Sequence, residues 1–285
     1  MNTFFSLIRI VYVNIIFIIS TSGCQTITKP DNQKASADEL INNQKSLIIS
    51  YINKGNPNSA HAELRDLIRQ YPNDPDFQNL MGLVYLVLEH PKQAVVYFRR
   101  SIKLNMQPAA VLNLSSAYIE SKQYSKALKL LSSLKKHGSY AAYPYPERVS
   151  HNIALAAERS KNFKMAEKHY KEALTENPQY YLSLIRLGKM YESRGKKTLA
   201  MTQYKAARSA CNLCYDATGA LIMNYLSLGQ TQIAISTLKS YLSQTNLRDT
   251  DKARANKLLV MARKIRQNAP KKANMAKMKN NKTPN

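Results

Sequence analysis

Cysteine is scarce in this chain, with three in 285 residues. Setting Cys24 aside leaves Cys211 and Cys214, and no second Cys or His pair stands at ligand spacing. A structural zinc site therefore has no donor set, and no metal is expected. His61, His90, His137, His151 and His169 are scattered and read as surface or packing residues. Glycine is sparse too, and no Gly-rich phosphate loop occurs; nor does a nucleophile motif or a carboxylate pair in register. These gaps remove the usual ways of building a catalytic site, so the expectation is a non-enzyme with no cofactor and no small-molecule substrate. Acidic side chains are few: 18 against 42 Lys and Arg, a net charge of +24. From Lys252 to Asn285 there are eleven Lys or Arg, no acid and no aromatic residue, which argues against stacking on single-stranded nucleic acid.

What the chain has instead is repetition. Between Leu40 and Asn246 one phrase of about 34 residues recurs six times. Its clearest copy is Leu184, Leu187, Gly188, Tyr191, Gly195, Ala200, Tyr204 and Ala207. The same slots hold Met81, Gly82, Tyr85, Ala94 and Phe98, then Leu114, Tyr118, Ala127 and Leu131, and then Ile153, Ala166, Tyr170 and Ala173. Leu47, Tyr51, Ala60 and Leu64 begin the series, and Leu221, Tyr225, Gly229, Ala234 and Leu238 end it. Large apolar residues three and four apart predict a first helix with one buried stripe. A small residue at the eighth slot (Gly82, Ala154, Gly188) lets a second helix approach. The slot near fifteen (Gly55, Lys122, Gly195, Gly229) falls at the turn, where glycine supplies a left-handed cap. Pro72 and Pro178 close second helices, because proline cannot continue the ladder.

This is the tetratricopeptide pattern of paired antiparallel helices. One pair cannot bury its apolar face alone, so the expected fold is all-α: a right-handed solenoid of about six helix-turn-helix repeats at 40–248, with a capping helix at 249–268. Successive copies are offset by 34, 33, 39, 34 and 34 residues. The long step contains Tyr140-Ala141-Ala142-Tyr143-Pro144-Tyr145-Pro146-Glu147-Arg148. Either its rings pack back onto the stack, or Tyr143 and Tyr145 contact a partner, exposed tyrosine being a favoured interface anchor.

Residues 1–23 stand outside the repeats. Arg9 and the amino terminus precede the apolar run Ile10–Ile19, which is short of the roughly 20 residues a bilayer span needs. It leads into Ser20-Thr21-Ser22-Gly23-Cys24, which resembles a bacterial lipobox, with Thr21 where leucine is usual. Cleavage after Gly23 and acylation of Cys24 would anchor the chain in a membrane; an uncleaved signal anchor is the alternative. Gln25 rather than Asp after the cysteine implies, by the lipoprotein sorting rule, the periplasmic face of the outer membrane. Residues 24–39 have no apolar period and read as a flexible tether. In an oxidising periplasm Cys211 and Cys214 suit a local disulfide, with a buried free pair as the other reading. The stretch 269–285 reads as a basic disordered tail. Behind a signal sequence its partners would be phospholipid headgroups, the anionic cell wall or an acidic protein surface, and not nucleic acid.

First helices line the hollow of a tetratricopeptide solenoid. Slots five, nine and twelve give Leu83, Leu86, Leu112, Ile119, Leu155, Ile185, Met223 and Leu226 as a candidate protein-binding groove, with His151 beside them. If the register slips by one, the same rows are core between helices. The Lys/Asn set that clamps a terminal carboxylate in chaperone-binding relatives is absent.

Lipobox, six-unit array and insert together resemble the PilF/PilW/Tgl lipoproteins of type IV pilus assembly, most specifically at Tyr143-Pro144-Tyr145-Pro146-Glu147-Arg148. The resemblance spans about residues 24–245 and leaves out the basic tail. It implies an outer-membrane pilotin. Such a protein binds the pilus secretin or other pilus assembly proteins and promotes secretin localisation or oligomerisation, or pilus stability. A periplasmic scaffold for cell-wall or envelope complexes is the alternative.

Overall fold

The computed structural model of the chain describes residues 32–280. The signal stretch 1–23, Cys24, the tether up to residue 31 and the last five residues lie outside the described part. Among the described residues every regular element is helical. The chain divides at the insert into two compact units, Met1–Pro144 and Tyr145–Asn285.

The first unit holds α1 (Asn32–Asn53), α2 (Pro57–Gln70), α3 (Pro75–Val87), α4 (Pro91–Leu104), α5 (Pro108–Glu120), α6 (Tyr124–Lys135) and the single turn α7 (Gly138–Ala141). The second holds α8 (Pro146–Arg159), α9 (Phe163–Glu176), α10 (Tyr181–Ser193), α11 (Lys197–Ala210), α12 (Tyr215–Ser227), α13 (Thr231–Leu242) and α14 (Asp249–Asn280). Each unit is thus three antiparallel helix pairs in tandem, stacked pair on pair, and α14 packs on α12 and α13 at the end of the second.

Local chemistry sets the boundaries. Pro57, Pro75, Pro91, Pro108 and Pro146 each open a helix, where the missing N–H costs nothing. Asn56, Asp74 and Asn162 cap theirs with a side-chain oxygen. Within all six pairs the turn is the same: a left-handed residue, at Gly55, Glu89, Lys122, Lys161, Gly195 and Gly229, with φ between 59° and 73°. The amide after it bonds back five residues, as Asn56 N–H to the Tyr51 carbonyl and Lys196 N–H to that of Tyr191. Sequence reading found four of these six positions; Glu89 and Lys161 carry no glycine and escaped it.

Small-for-large pairing fixes how closely the two helices of a pair approach. Gly82 lies against the Phe98 ring and Gly188 against that of Tyr204, where an added Cβ would come within 2.4 and 2.6 Å. Phe98, Tyr170 and Tyr204 are among the largest fully buried side chains of the described residues.

The ends carry more helix than their composition suggested. The first helix begins inside the stretch read as tether, and the last continues through the 249–268 cap into the stretch read as tail. Both stretches are rich in Ala, Lys and Gln or Met, good helix formers once a neighbouring helix has been nucleated.

Candidate functional site

In the first unit the inward register of the first helices is polar at its start. Lys45 of α1 reaches Asp76 at 2.7 Å and Asp74 at 3.1 Å, and its ammonium sits over the Phe77 ring. Burial works to lower the Lys45 pKa, but the hydrogen bonds and charges of Asp76 and Asp74 outweigh it and hold the pKa above its ordinary value. One repeat on, Asn113 donates to Asn79. The apolar rows follow, but they are not open. Leu83, Leu86, Leu112 and Ile119 are between 3% and 8% exposed. The expected groove is therefore corrected here: these four side chains are core.

The second unit repeats that outcome with one addition. Ile185 is buried, Leu155 is half-buried, and Leu226 packs against the hydrophobic core. Met223, at 51% exposure, is the single predicted groove residue left in solvent. What occupies the inward register instead is charge. Glu158 of α8 meets Arg186 of α10 at 3.6 Å and accepts the Tyr170 hydroxyl. Glu192 of α10 accepts from the Tyr204 hydroxyl at 3.0 Å and from Asn224 of α12 at 3.2 Å. Asp216 of α12 pairs with Arg254 of α14 at 2.9 Å, and that guanidinium stacks 4.1 Å from the Tyr215 ring centre. Lys189 stands among these groups, its pKa lowered first by surrounding protein and then by the Arg186 charge.

The physical reason for the correction is visible by lining up repeats. Leu86, Ile119 and Leu226 each precede the buried second-helix residue (Phe98, Leu131, Leu238) by twelve positions. Glu158 and Glu192 precede Tyr170 and Tyr204 by the same twelve. The slot faces the partner helix of its own pair: it is apolar where that helix presents a hydrocarbon and acidic where it presents a phenol. Burial first, with the Glu192 charge and hydrogen bond behind it, pushes the Tyr204 hydroxyl well above its usual pKa.

His151, placed beside the expected groove, is buried. Its Nδ1 lies 2.9 Å from Ser183 Oγ, between the rings of Tyr170 and Tyr180. Burial, with the Arg186 charge second, lowers its pKa to about 3.

The insert divides between the units. On the first side α7 is tied down: Ser139 Oγ donates to the Met106 carbonyl at 2.8 Å, and the Tyr143 amide bonds to the Tyr140 carbonyl. Tyr143 is half-buried. On the second side Tyr145 caps α8, is half-buried, and takes the Arg148 guanidinium 5.2 Å from its ring centre.

The structure bonds Cys211 to Cys214, whose Cα atoms are 5.3 Å apart. They end α11 and begin α12, and the Tyr241 hydroxyl donates to the Leu213 carbonyl between them. Among the described residues no three His, Cys, Asp or Glu side chains converge as a metal site.

Sequence reading overlooked exposed apolar side chains on the second helices of the second unit. Leu199 and Ile233 are equivalent by repeat and both 46% exposed, and Phe163 is 50% exposed at the edge of a cleft of about 340 Å³ with Met190, Ser193 and Arg194. For Leu199 and Ile233 the signal was available: the residue before the small Ala of these second helices is apolar, against Ser59, Gln93 and Lys126 in the other unit, while in α9 that position is Met165, which packs on the core, and Phe163 stands outside the register.

Stacked helix pairs with small crossing residues and the same left-handed turn in each define the class of fold: a tetratricopeptide-type helical solenoid. The tetratricopeptide-repeat family model matches residues 46–102 and 151–212. More particularly, the chain is similar to the type IV pilus assembly protein PilF of Pseudomonas aeruginosa, 26% identical over 158 residues. That match takes in 55% of this chain and 60% of PilF. An uncharacterized protein, ycf37 of Cyanophora paradoxa, is 28% identical over 120 residues, 41% of this chain and 64% of its own. The chain thus spans less than two thirds of either relative. Among solved structures, PilF from Pseudomonas aeruginosa superimposes with a TM-score of 0.60 at 18% identity, covering 71% of this chain and 90% of that one. PilW, a type IV pilus biogenesis factor, gives 0.60 at 17%, covering 74% and 96%. These superpositions speak to the fold.

Proposed function

We propose that this chain is a non-enzymatic, protein-binding factor of type IV pilus biogenesis, carried as a lipoprotein on the periplasmic face of the outer membrane. The similarity to PilF over more than half of the chain carries the reading. The six-residue insert beginning at Tyr143 and the lipobox-like Ser20-Thr21-Ser22-Gly23-Cys24 support it from the sequence. The partner is the pilus secretin or another assembly protein, and the lipid at Cys24 sets where the repeat body works. The apolar-lined groove no longer supplies the contact surface. The half-buried insert tyrosines and the exposed second-helix side chains Phe163, Leu199 and Ile233 are the surfaces available for a protein ligand.

The test is a Cys24→Ala strain probed for heat-resistant secretin multimers in separated membranes. Secretin left as monomers, away from the outer membrane, is the expected result. Unchanged outer-membrane multimers would overturn the reading. The basic run from Lys252 onward favours one further reading, a periplasmic scaffold held to the anionic wall. Deleting 271–285 separates the two: lost wall association with normal secretin multimers would favour the scaffold.

A further inference from the structure

Charge is unevenly placed on the turns that join the helices of each pair. In the first unit, 53–58 has Lys54 alone, while 87–92 and 120–125 each set one lysine against one glutamate. In the second, 227–232 has no charge. The other two turns there are strongly basic: 159–164 holds Arg159, Lys161 and Lys164, and 193–198 holds Arg194, Lys196 and Lys197, with no acid in either. All six of these cations are exposed, and among the described residues only Arg194 of the six is ion-paired, to Glu167 of α9. The cleft of about 340 Å³ opens between the same two turns, where α9 packs on α10. Half-exposed Phe163 and buried Met190 give it apolar walls, and Ser193 and Arg194 complete its lining.

Cations around an apolar recess suit a ligand that is anionic and apolar together, which narrows the choice. The polar groups of the rim are already engaged: Ser193 Oγ donates to the Met190 carbonyl at 3.0 Å, and the Arg194 guanidinium is held by Glu167. A nucleotide base or a sugar entering the recess would give up hydrogen bonds to water for walls that are mainly hydrocarbon. Free phosphate or wall polymer would meet the lysines and leave the recess empty. A phospholipid would have to draw an acyl chain out of its bilayer to fill it. An acidic peptide with one aliphatic or aromatic residue meets both demands. That side chain needs no hydrogen bond, and the carboxylates flanking it face the two basic turns.

We infer that the turn edge of the fourth and fifth repeats binds an acidic peptide segment of a partner protein, with one apolar side chain of that segment seated in the cleft beside Phe163. The inference rests on the reading of this chain as a protein-binding factor and not on the pathway in which it binds.

The full-length protein is titrated into a short fluorescein-labelled peptide of aspartates with a single central leucine, and anisotropy is read at low and high salt. Saturable binding that weakens with salt is expected, as is its loss when glycine replaces the leucine. Phe163→Ala, at an exposed site, should weaken binding about fivefold or more, the cost of removing an interface anchor. Lys196→Glu with Lys197→Glu, at exposed positions that leave the core untouched, should remove binding altogether. No binding of the leucine peptide, or equal binding of the glycine peptide, would overturn the inference. So would tighter binding of phosphatidylglycerol vesicles or of adenosine triphosphate that Phe163→Ala abolishes, which would give the cleft to an acyl chain or a base. The assay holds no secretin, so a negative result removes the cleft and leaves the Cys24→Ala strain to judge the pilus reading.

Discussion

Gly82 and Phe98 meet so closely that a single added carbon on the glycine would fall 2.4 Å from the ring. The same two slots recur, fully buried, in every repeat: Ile48 with Leu64, Ser115 with Leu131, Ala154 with Tyr170, Gly188 with Tyr204 and Ile222 with Leu238. Where the first member is Gly or Ala the second is aromatic, and where it is Ser or Ile the second is Leu, so the six pairs fill their crossings with different divisions of the volume.

Gly82→Ala should therefore destabilise the protein by about 1–3 kcal/mol through overpacking. Phe98→Leu on that background should recover much of the loss, since it recreates the division seen at Ser115 and Leu131. Urea unfolding of the four variants reads the coupling; strict additivity would show that the crossing can open without cost.

The acid–phenol pair at Glu192 and Tyr204 gives a second cycle. Tyr204→Phe removes one hydrogen bond and should cost about 1 kcal/mol. Glu192→Leu strands the buried phenol and should cost more. The double variant, which reproduces the Leu86–Phe98 pairing of the second repeat, should be more stable than Glu192→Leu alone. Thermal unfolding decides, and a double variant weaker than either single one would contradict the exchange rule.

Three of the six left-handed turns lack glycine. Glu89→Gly, Lys122→Gly and Lys161→Gly should each stabilise the chain by about 0.5–1 kcal/mol, the left-handed penalty of an L residue less the entropy glycine loses on folding. Gly195→Ala should do the reverse. Chemical denaturation midpoints for the four variants test this, and a neutral Gly195→Ala would mean the turn can relax to negative φ.

His151 makes stability depend on pH. Its folded pKa is lowered from 6.5 to about 3, so between those values the unfolded chain binds a proton that the folded chain does not. This contribution is fully present above about pH 7 and is lost progressively as pH falls from 6.5 toward 3. His151→Gln should flatten the melting temperature across that window relative to the parent chain. An unchanged slope would place the acid sensitivity elsewhere.

The repeat period, the helix pairs and the glycine turns could all be read along the chain. Each depends on local spacing: apolar residues three and four apart, proline at first turns, and glycine where φ must be positive. Glu89 and Lys161 were hidden because the turn is imposed by the packing of the helices it joins, and an L residue accepts the strain. The groove failed for a related reason. A first helix in a stack touches its own partner and its neighbours on both sides, so a single apolar periodicity does not tell a hollow from a seam.

Sequence alone determined that Leu86, Ile119, Glu158, Glu192 and Leu226 occupy one register, since their spacing is that of the repeat. Only tertiary packing decided what the register faces: a second helix twelve residues on, hydrocarbon in some pairs and a phenol in others. Spacing along a helix is a property of one chain segment, whereas burial needs a second surface. That is why the position of each side chain was legible in the sequence and its environment was not.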